Sequence, residues 1–336
     1  MRTLLALIRD TLIALRRRRL FWLHFWLNAA VVLMFAGVQC HGQGWSIFFG
    51  MKELPSTWLR ADTPWESTLH CWTLTCIMLW WVAGGGLFFA LFATAAILPE
   101  TLEPGSAALI LPRARRRGAV LAGRFLGSLL YMLLHTVFVT GGLWLVQGWQ
   151  QDWRWEAWHH GIWLAVPLAA LLFAPLQAVA MLMGVLTRSA TAALLVAILF
   201  AGSVWALQSA AAAPDKMAAA PAATEEPNAS GFGAALTGEA AQQASSVLPQ
   251  SRDALLWLER RACPRPLRTY RDLFRRLHAG HSGLGAAAAD ALAAANSPAL
   301  QKEVDRTHLF PVVVSSAGFT LVTMAAAAWL LRRRDL

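Results

Sequence analysis

The side chains best suited to chemistry in this 336-residue chain fall into two groups. The first is Cys40 with His41, followed further along by His70 with Cys71. Thiolate and imidazole are ligands that a soft metal such as Cu(I) accepts. The spacing argues against such a site, because neither C-x-x-C nor H-x-x-x-H occurs. A Cys40–Cys71 disulfide is open to the pair in an oxidising compartment. Packed, unpaired thiols are the simplest reading, so no metal is assigned. The second group starts with Glu100 and Glu103, then a Pro104-Gly105 break and an apolar piece from Ala107 through Leu109 to Leu111. Pro112 stops that piece, and Arg113, Arg115, Arg116 and Arg117 follow. A short helix bounded by Pro-Gly and Pro, with acid before it and base after it, suits docking on another protein. The plainer alternative, a polar loop that keeps its arginines on one side of a membrane, explains the base but not the paired glutamates.

The chain cannot bind ATP in the P-loop manner. There is no G-x-x-x-x-G-K-[ST], and none of the three lysines (Lys52, Lys216, Lys302) follows a glycine.

Composition says which elements must carry these residues. The chain is 57% hydrophobic and 14% charged, against roughly 25% charged in a soluble domain. The deficit is concentrated in six uncharged runs: Leu20 to Met51, Ser67 to Pro99, Phe125 to Gln151, Ala157 to Thr187, Ser189 to Pro214 and Thr307 to Leu331. Each exceeds the roughly 20 residues that carry a helix across hydrocarbon. Lipid leaves no partner for an open backbone, so continuous apolar tracts of this length are helices and not barrel strands. The expected fold is an all-α polytopic membrane protein with six transmembrane helices, and a water-soluble enzyme is excluded. The first run is too long for a cleaved signal and lacks a small-residue cleavage site.

Arginine placement sets the orientation. With the N-terminus inside, the short inner segments hold 15 basic residues against four acidic ones, and the two short outer loops hold three against five. Both termini are therefore expected to be cytoplasmic. Residues 1–19 read as an amphipathic interfacial helix, with Leu4, Leu5, Leu7, Ile8, Leu12, Ile13 and Leu15 apolar and Arg2, Arg9 and Arg16 to Arg19 for headgroups. Residues 20–212 then carry five spans with the docking segment at 99–118. Residues 213–306 form a long outer loop, and 307–336 hold the last span and a basic tail. The outer loop is Ala-, Pro-, Gly- and Ser-rich at first and helical later. Helices are expected around Leu267 to Leu277 and Ala286 to Ala295, resting on the leaflet or capping the bundle. The loop's arginines face outward in this topology, which excludes nucleic acid as a partner. Trp144, Trp149, Trp153, Trp155, Trp158 and Trp163 crowd the second outer loop, where indole rings anchor at headgroup level.

The runs contain no Asp or Glu, which argues against an ion-driven carrier. Their polar residues include His24, Asn28, His135, Gln177, Ser203, Gln208, Ser315 and Ser316, for which helix-to-helix hydrogen bonding is the default role. Haem ligation by His24 or His135 is discounted because neither has an obvious facing partner in the sequence.

Several of these features together resemble the ABC-2 type permeases of ATP-binding cassette transporters. They are the glutamate-bearing segment after span two, the Pro-x-x-Arg-Arg at Pro112 to Arg116, the Gly-Arg-Phe-Leu-Gly at Gly123 to Gly127, and the N-terminal RDTLIALRRRRLFWL. Leu102-Glu103-Pro104 and Thr187-Arg188-Ser189 are similar to motifs of bacterial permeases of the multi-copper enzyme maturation type. The likeness covers residues 1–210 and the last span. It implies a permease subunit, not itself an enzyme, in a bacterial inner (plasma) membrane, and an exporter more readily than an importer. It also implies a second permease copy as homodimer or heterodimer, and a separate ATPase subunit holding ATP and Mg. Glu100, Glu103, Gly105, Leu109, Leu111, Pro112, Arg113 and Arg115 to Arg117 would form the coupling segment that touches that ATPase. Two other functions compete: a metal- or haem-handling membrane protein using the Cys/His group, and a non-transporting membrane scaffold.

Overall fold

The computed structural model describes residues 2–41, 43–55, 73–74, 77–102, 117–153, 160–211, 248–249, 251–262 and 309–333. Among them, six helices are long and apolar enough to cross a membrane, one in each uncharged run. In chain order the elements are α1 (Arg2–Arg16), α2 (Arg19–Ala36), a sheet of β1 (Gln39–His41), β2 (Gly44–Ile47) and β3 (Lys52–Pro55), then α3 (Gly86–Ala95), α4 (Ile97–Thr101), α5 (Arg117–Gln150), α6 (Ala165–Thr187), α7 (Ala190–Ala211), α8 (Ser251–Ala262) and α9 (Leu309–Arg333). Span one is α2, and span two is a π-helical stretch Ile77–Gly85 running into α3 and α4. Spans three to six are α5, α6 (entered through a 3-10 turn, His160–Leu164), α7 and α9.

Span four is the hub. Helix α6 packs against α5, α7, α9 and α3, and 67% of its most apolar stretch is buried, against 17% for α7 and 22% for α2 and α9. Its sequence is apolar all round, as a central helix must be. Buried Ala169, Ala178, Ala180 and Gly184 let neighbouring backbones approach. The peripheral spans instead expose Trp22, Leu23, Trp26, Leu33 and Met34 on α2, and Leu195, Leu199 and Trp205 on α7. Lipid tails solvate such faces as well as a protein core would.

The ends of the bundle differ, and we call them the basic end and the loop end. The basic end carries both described termini, Arg16 to Arg19, Arg124, Arg188, Arg332 and Arg333. At Thr187-Arg188-Ser189 the chain reverses tightly between spans four and five. Arg188 takes a left-handed φ of 54°, and the Thr187 hydroxyl donates to the Met183 carbonyl at 2.8 Å.

Two boundaries differ from the sequence reading. Span one stops at Ala36 rather than running to Met51, and residues 39–55 form a three-stranded antiparallel sheet in the order β1-β2-β3. Cys40 pairs in register with Trp45, and Trp45 with Leu54. The fold is therefore helical throughout its membrane part but not in this loop. A run defined by missing charge cannot distinguish a buried helix from the alternating burial of β2. Span three starts at Arg117, which brings Arg124 inside the helix and under α1. Helix α1 is docked protein-on-protein rather than merely laid on lipid: Thr11 and Leu15 are buried, while Leu5 and Ile13 stay exposed.

Of residues 213–306, those described are 248–249 and α8. Ala254 and Leu258 of α8 are buried against the bundle. The Gln208 side chain donates to the Pro249 carbonyl at 2.6 Å and accepts from the Ser251 hydroxyl at 3.0 Å. This piece of the long loop packs on the bundle, in a stretch for which the sequence reading expected no particular placement. The helices expected around Leu267 to Leu277 and Ala286 to Ala295 lie outside the described residues.

Candidate functional site

The densest polar cluster lies midway along spans one to three. His24 and Asn28 are one helical turn apart on α2, and Tyr131 and His135 are one turn apart on α5. Spacing of four puts each pair on one helix face. The helices run parallel and in register, so that His24 Nδ1 meets the Tyr131 hydroxyl at 3.1 Å and the Asn28 amide meets His135 Nδ1 at 3.0 Å. The two imidazole rings stack, with centroids 4.1 Å apart and planes 3° from parallel. The π-helical turn of span two brings in Trp81, whose indole N–H donates to Asn28 Oδ1 at 2.7 Å.

These bonds fix the hydrogens by elimination. An indole N–H only donates, so the oxygen of Asn28 faces Trp81 and its NH₂ faces His135. His135 Nδ1 must then accept, which leaves the ring proton on Nε2. That Nε2 is buried with no hydrogen-bond partner. His135 helps to line a small cavity with His24, Asn28, Trp81, Gly86, Met132 and Thr136, in which the centre of a water molecule has about 10 Å³ to occupy. The cluster contains no carboxylate; it ties three spans together and leaves the His135 Nε2–H without a partner. Below it, towards the basic end, the Thr94 hydroxyl donates to Gln177 Oε1 at 2.8 Å and Gln177 donates to the Ser128 hydroxyl at 3.2 Å, linking spans two, four and three.

At the basic end the chemistry becomes ionic. Gly123 and Gly127 of α5 form a seat for α1: a Cβ at Gly123 would stand 2.7 Å from Leu7 Cβ, and one at Gly127 2.6 Å from Thr11 Cβ. Between them Arg124, almost wholly buried, reaches Asp10 at 2.9 Å and the Thr11 hydroxyl at 3.1 Å. Arg18, at the joint between α1 and α2, pairs with Glu100 and also bonds the Ala93 carbonyl. Glu100 is 53% exposed, yet its helical turn is firmly held. Leu98 and Leu102 are buried with Leu121, Met181, Val185 and Leu331, and a Cβ on Gly184 would press on Pro99 at 3.2 Å.

Of the coupling residues expected from the sequence, Glu100 lies at this basic end, exposed and beside Arg18. Glu103, Gly105, Leu109, Leu111, Pro112, Arg113, Arg115 and Arg116 lie outside the described residues, and Arg117 is the first residue of α5. Cys40 and His41 sit on β1 at the loop end, where His41 Nε2 is 2.8 Å from the Ser46 hydroxyl. His70 and Cys71 lie outside the described residues. Among the described residues no three His, Cys, Asp or Glu side chains group as a metal site. Of the tryptophans, Trp144 donates to His160 at 3.2 Å and packs on Trp163, while Trp149 and Trp153 are half-exposed. Trp155 and Trp158 lie outside the described residues. The one direct correction concerns the histidines: His24 and His135 do face each other. The spacing of four in both H-x-x-x-N and Y-x-x-x-H was the available signal.

The fold defines a polytopic, largely helical membrane protein with six candidate transmembrane helices among the described residues. The chain belongs to the family described as "Protein of unknown function (DUF2705)", which matches residues 29–216, more than half its length. No curated protein and no solved structure matches the chain.

Proposed function

We propose that the chain is the membrane-spanning permease subunit of an ATP-binding cassette transporter, working as an exporter with a second permease copy and a separate ATPase. The observation that carries this reading is the build of the basic end. An exposed acid, Glu100, ends a helical turn locked between spans two, three, four and six. It is tied through Arg18 to the joint between α1 and span one. A push delivered there would reach α1 and the spans at once, which is what coupling ATP binding to movement of a bundle requires. Segment 103–116, with its remaining acid, apolar and basic residues, follows directly. On the positive-inside rule the basic end faces the cytoplasm, the side where ATP is found. With no P-loop in the chain, hydrolysis falls to a partner that binds ATP and Mg. The chain itself is then no enzyme, and the setting is a bacterial inner membrane.

The test is affinity purification from native membranes with ATP present, comparing the unaltered chain with the double variant E100A/E103A. The expected result is one P-loop ATPase recovered in stoichiometric amount with the unaltered chain and largely lost with the variant. Recovery of no P-loop protein, or recovery indifferent to the two glutamates, overturns the reading.

A further inference from the structure

The turn between β2 and β3, Phe48-Phe49-Gly50-Met51, presents large apolar side chains where a water-facing loop would place polar ones. Phe48, Phe49 and Met51 are 62%, 56% and 82% exposed. Phe48 and Phe49 both adopt left-handed backbone conformations, with φ of 54° and 59°, a region that bulky residues seldom enter outside turns. The tight β2–β3 turn is thus closed through Phe48 and Phe49 themselves, with their rings on the outside.

The position of the turn says what meets them. The Phe49 N–H donates to the Gly37 carbonyl at 3.2 Å, and the Cβ position of Gly37 lies 3.4 to 3.6 Å from the Leu33 and Met34 carbonyls and from Phe48 Cα. The turn is therefore packed against the last turn of span one. Leu33 and Met34 there are exposed apolar residues of a membrane-crossing helix, so the apolar surface of the turn continues the lipid-facing surface of α2. Gln150, at the end of span three, donates to the carbonyls of Phe35 and Val38. That bond sets the ends of spans one and three at one level, with half-exposed Trp149 and Trp153 beside it. Immediately after Met51, Lys52 and Glu53 are exposed. Apolar tip, aromatic neighbours at the same level and a lysine one residue beyond form the sequence of environments from acyl chain to phosphate.

We propose that this turn inserts into the lipid leaflet at the loop end, its two phenylalanines and Met51 in the acyl-chain boundary and Lys52 at the phosphates. It would peg the sheet to the bilayer beside span one. The occupant is lipid rather than a second copy of the chain, because the surface is continuous with a face that hydrocarbon already covers.

The experiment places a nitroxide at M51C, and for comparison at K52C and at the lipid-facing L33C, in a background with Cys40, Cys71, Cys76 and Cys263 changed to Ser. The full-length protein is held in phosphatidylcholine nanodiscs at one copy per disc and then at two. Collision with oxygen, which partitions into lipid, is compared with collision with a water-soluble nickel chelate. The expected result is an oxygen-to-nickel ratio at position 51 close to that at 33 and several-fold above that at 52, independent of copy number. A nickel-accessible label at 51 overturns the proposal in favour of a solvated loop. A label shielded from both reagents, with spin–spin broadening that appears only at two copies, overturns it in favour of a dimer contact. If the cysteine-free background does not fold, benzoylphenylalanine at position 51 of the unaltered chain decides the matter by mass: a phospholipid adduct supports insertion, and a chain–chain adduct or none refutes it.

Discussion

Two of the polar clusters among the described residues, one at mid-span and one at the basic end, solve the same problem, fastening helices together in lipid, with opposite chemistry. At mid-span the fasteners are neutral: an amide, an indole, a phenol and two imidazoles joining spans one, two and three. At the basic end they are charged: Arg124 with Asp10, and Arg18 with Glu100. The division follows the cost of charge with depth. A charge held at the bilayer centre costs at least about 2.5–3.5 kcal/mol, and more where it cannot reach water. Near the interface, by contrast, the acid of each pair keeps contact with solvent: Asp10 is 60% and Glu100 53% exposed. Neutral fasteners make a joint that solvent and salt do not reach. The charged ones, each with an acid in solvent, are open to exchange.

The strongest way to break the contrast is steric. Gly127→Leu puts side-chain atoms where Thr11 already sits, since the Cβ alone would lie 2.6 Å from Thr11 Cβ. Neither backbone can yield without α1 leaving α5, and overpacking of this kind costs about 3 kcal/mol at its upper end. The expected outcome is a lowered unfolding temperature in detergent and rapid trypsin cleavage at Arg9 and Arg16, which folded α1 protects. An unchanged cleavage pattern would show that the ionic pairs, and not the glycine seat, hold α1.

A change of intermediate size tests the neutral cluster. Asn28→Leu strands the Trp81 N–H and the Nδ1 of His135 at once. Unsatisfied groups and interhelical hydrogen bonds in membranes suggest a loss of about 2 kcal/mol, with no dependence on salt. Adding Trp81→Phe removes one of the stranded groups, so the double variant should be less destabilised than the sum of the singles. Strict additivity of the two changes would mean the cluster does not act as a unit.

Much of this contrast could be read from the sequence, and the remainder shows why some could not. The six uncharged runs located all six spans, because lipid penalises charge over any stretch long enough to cross it. The same criterion carried span one past Gly37 to Met51, since a β-meander of Trp, Ile and Phe is as uncharged as a helix. Composition also gave each polar residue its role singly while missing the pairings. His24 and Tyr131 are 107 residues apart, as are Asn28 and His135, and only the register of two parallel helices joins them. Gly123 and Gly127 were legible as a small-residue pair opening span three. That α1 would be the helix seated on them depended on the chain turning back at Arg17 and Arg18, which no local pattern announces. Of the residues expected to contact a partner, Glu100 lies beside Arg18, a neighbourhood not visible in the linear order.

The smallest expected effect is also the one that separates the two kinds of fastening most cleanly. Glu100→Gln keeps the size of the side chain and removes the charge that pairs with Arg18. Because Glu100 is half in solvent and Arg18 keeps its bond to the Ala93 carbonyl, the stability change should be under about 1 kcal/mol. It should shrink further as salt rises, with screening over roughly 8 Å at physiological ionic strength. The proposed coupling role requires the same substitution to reduce capture of a P-loop ATPase, even though the fold is almost indifferent to it. A near-silent change in unfolding temperature with a clear loss of capture would mark Glu100 as a contact residue. A large, salt-independent drop in stability would instead make Arg18–Glu100 a structural joint like the one at Asn28, and the distinction between a rigid centre and an exchangeable basic end would fail.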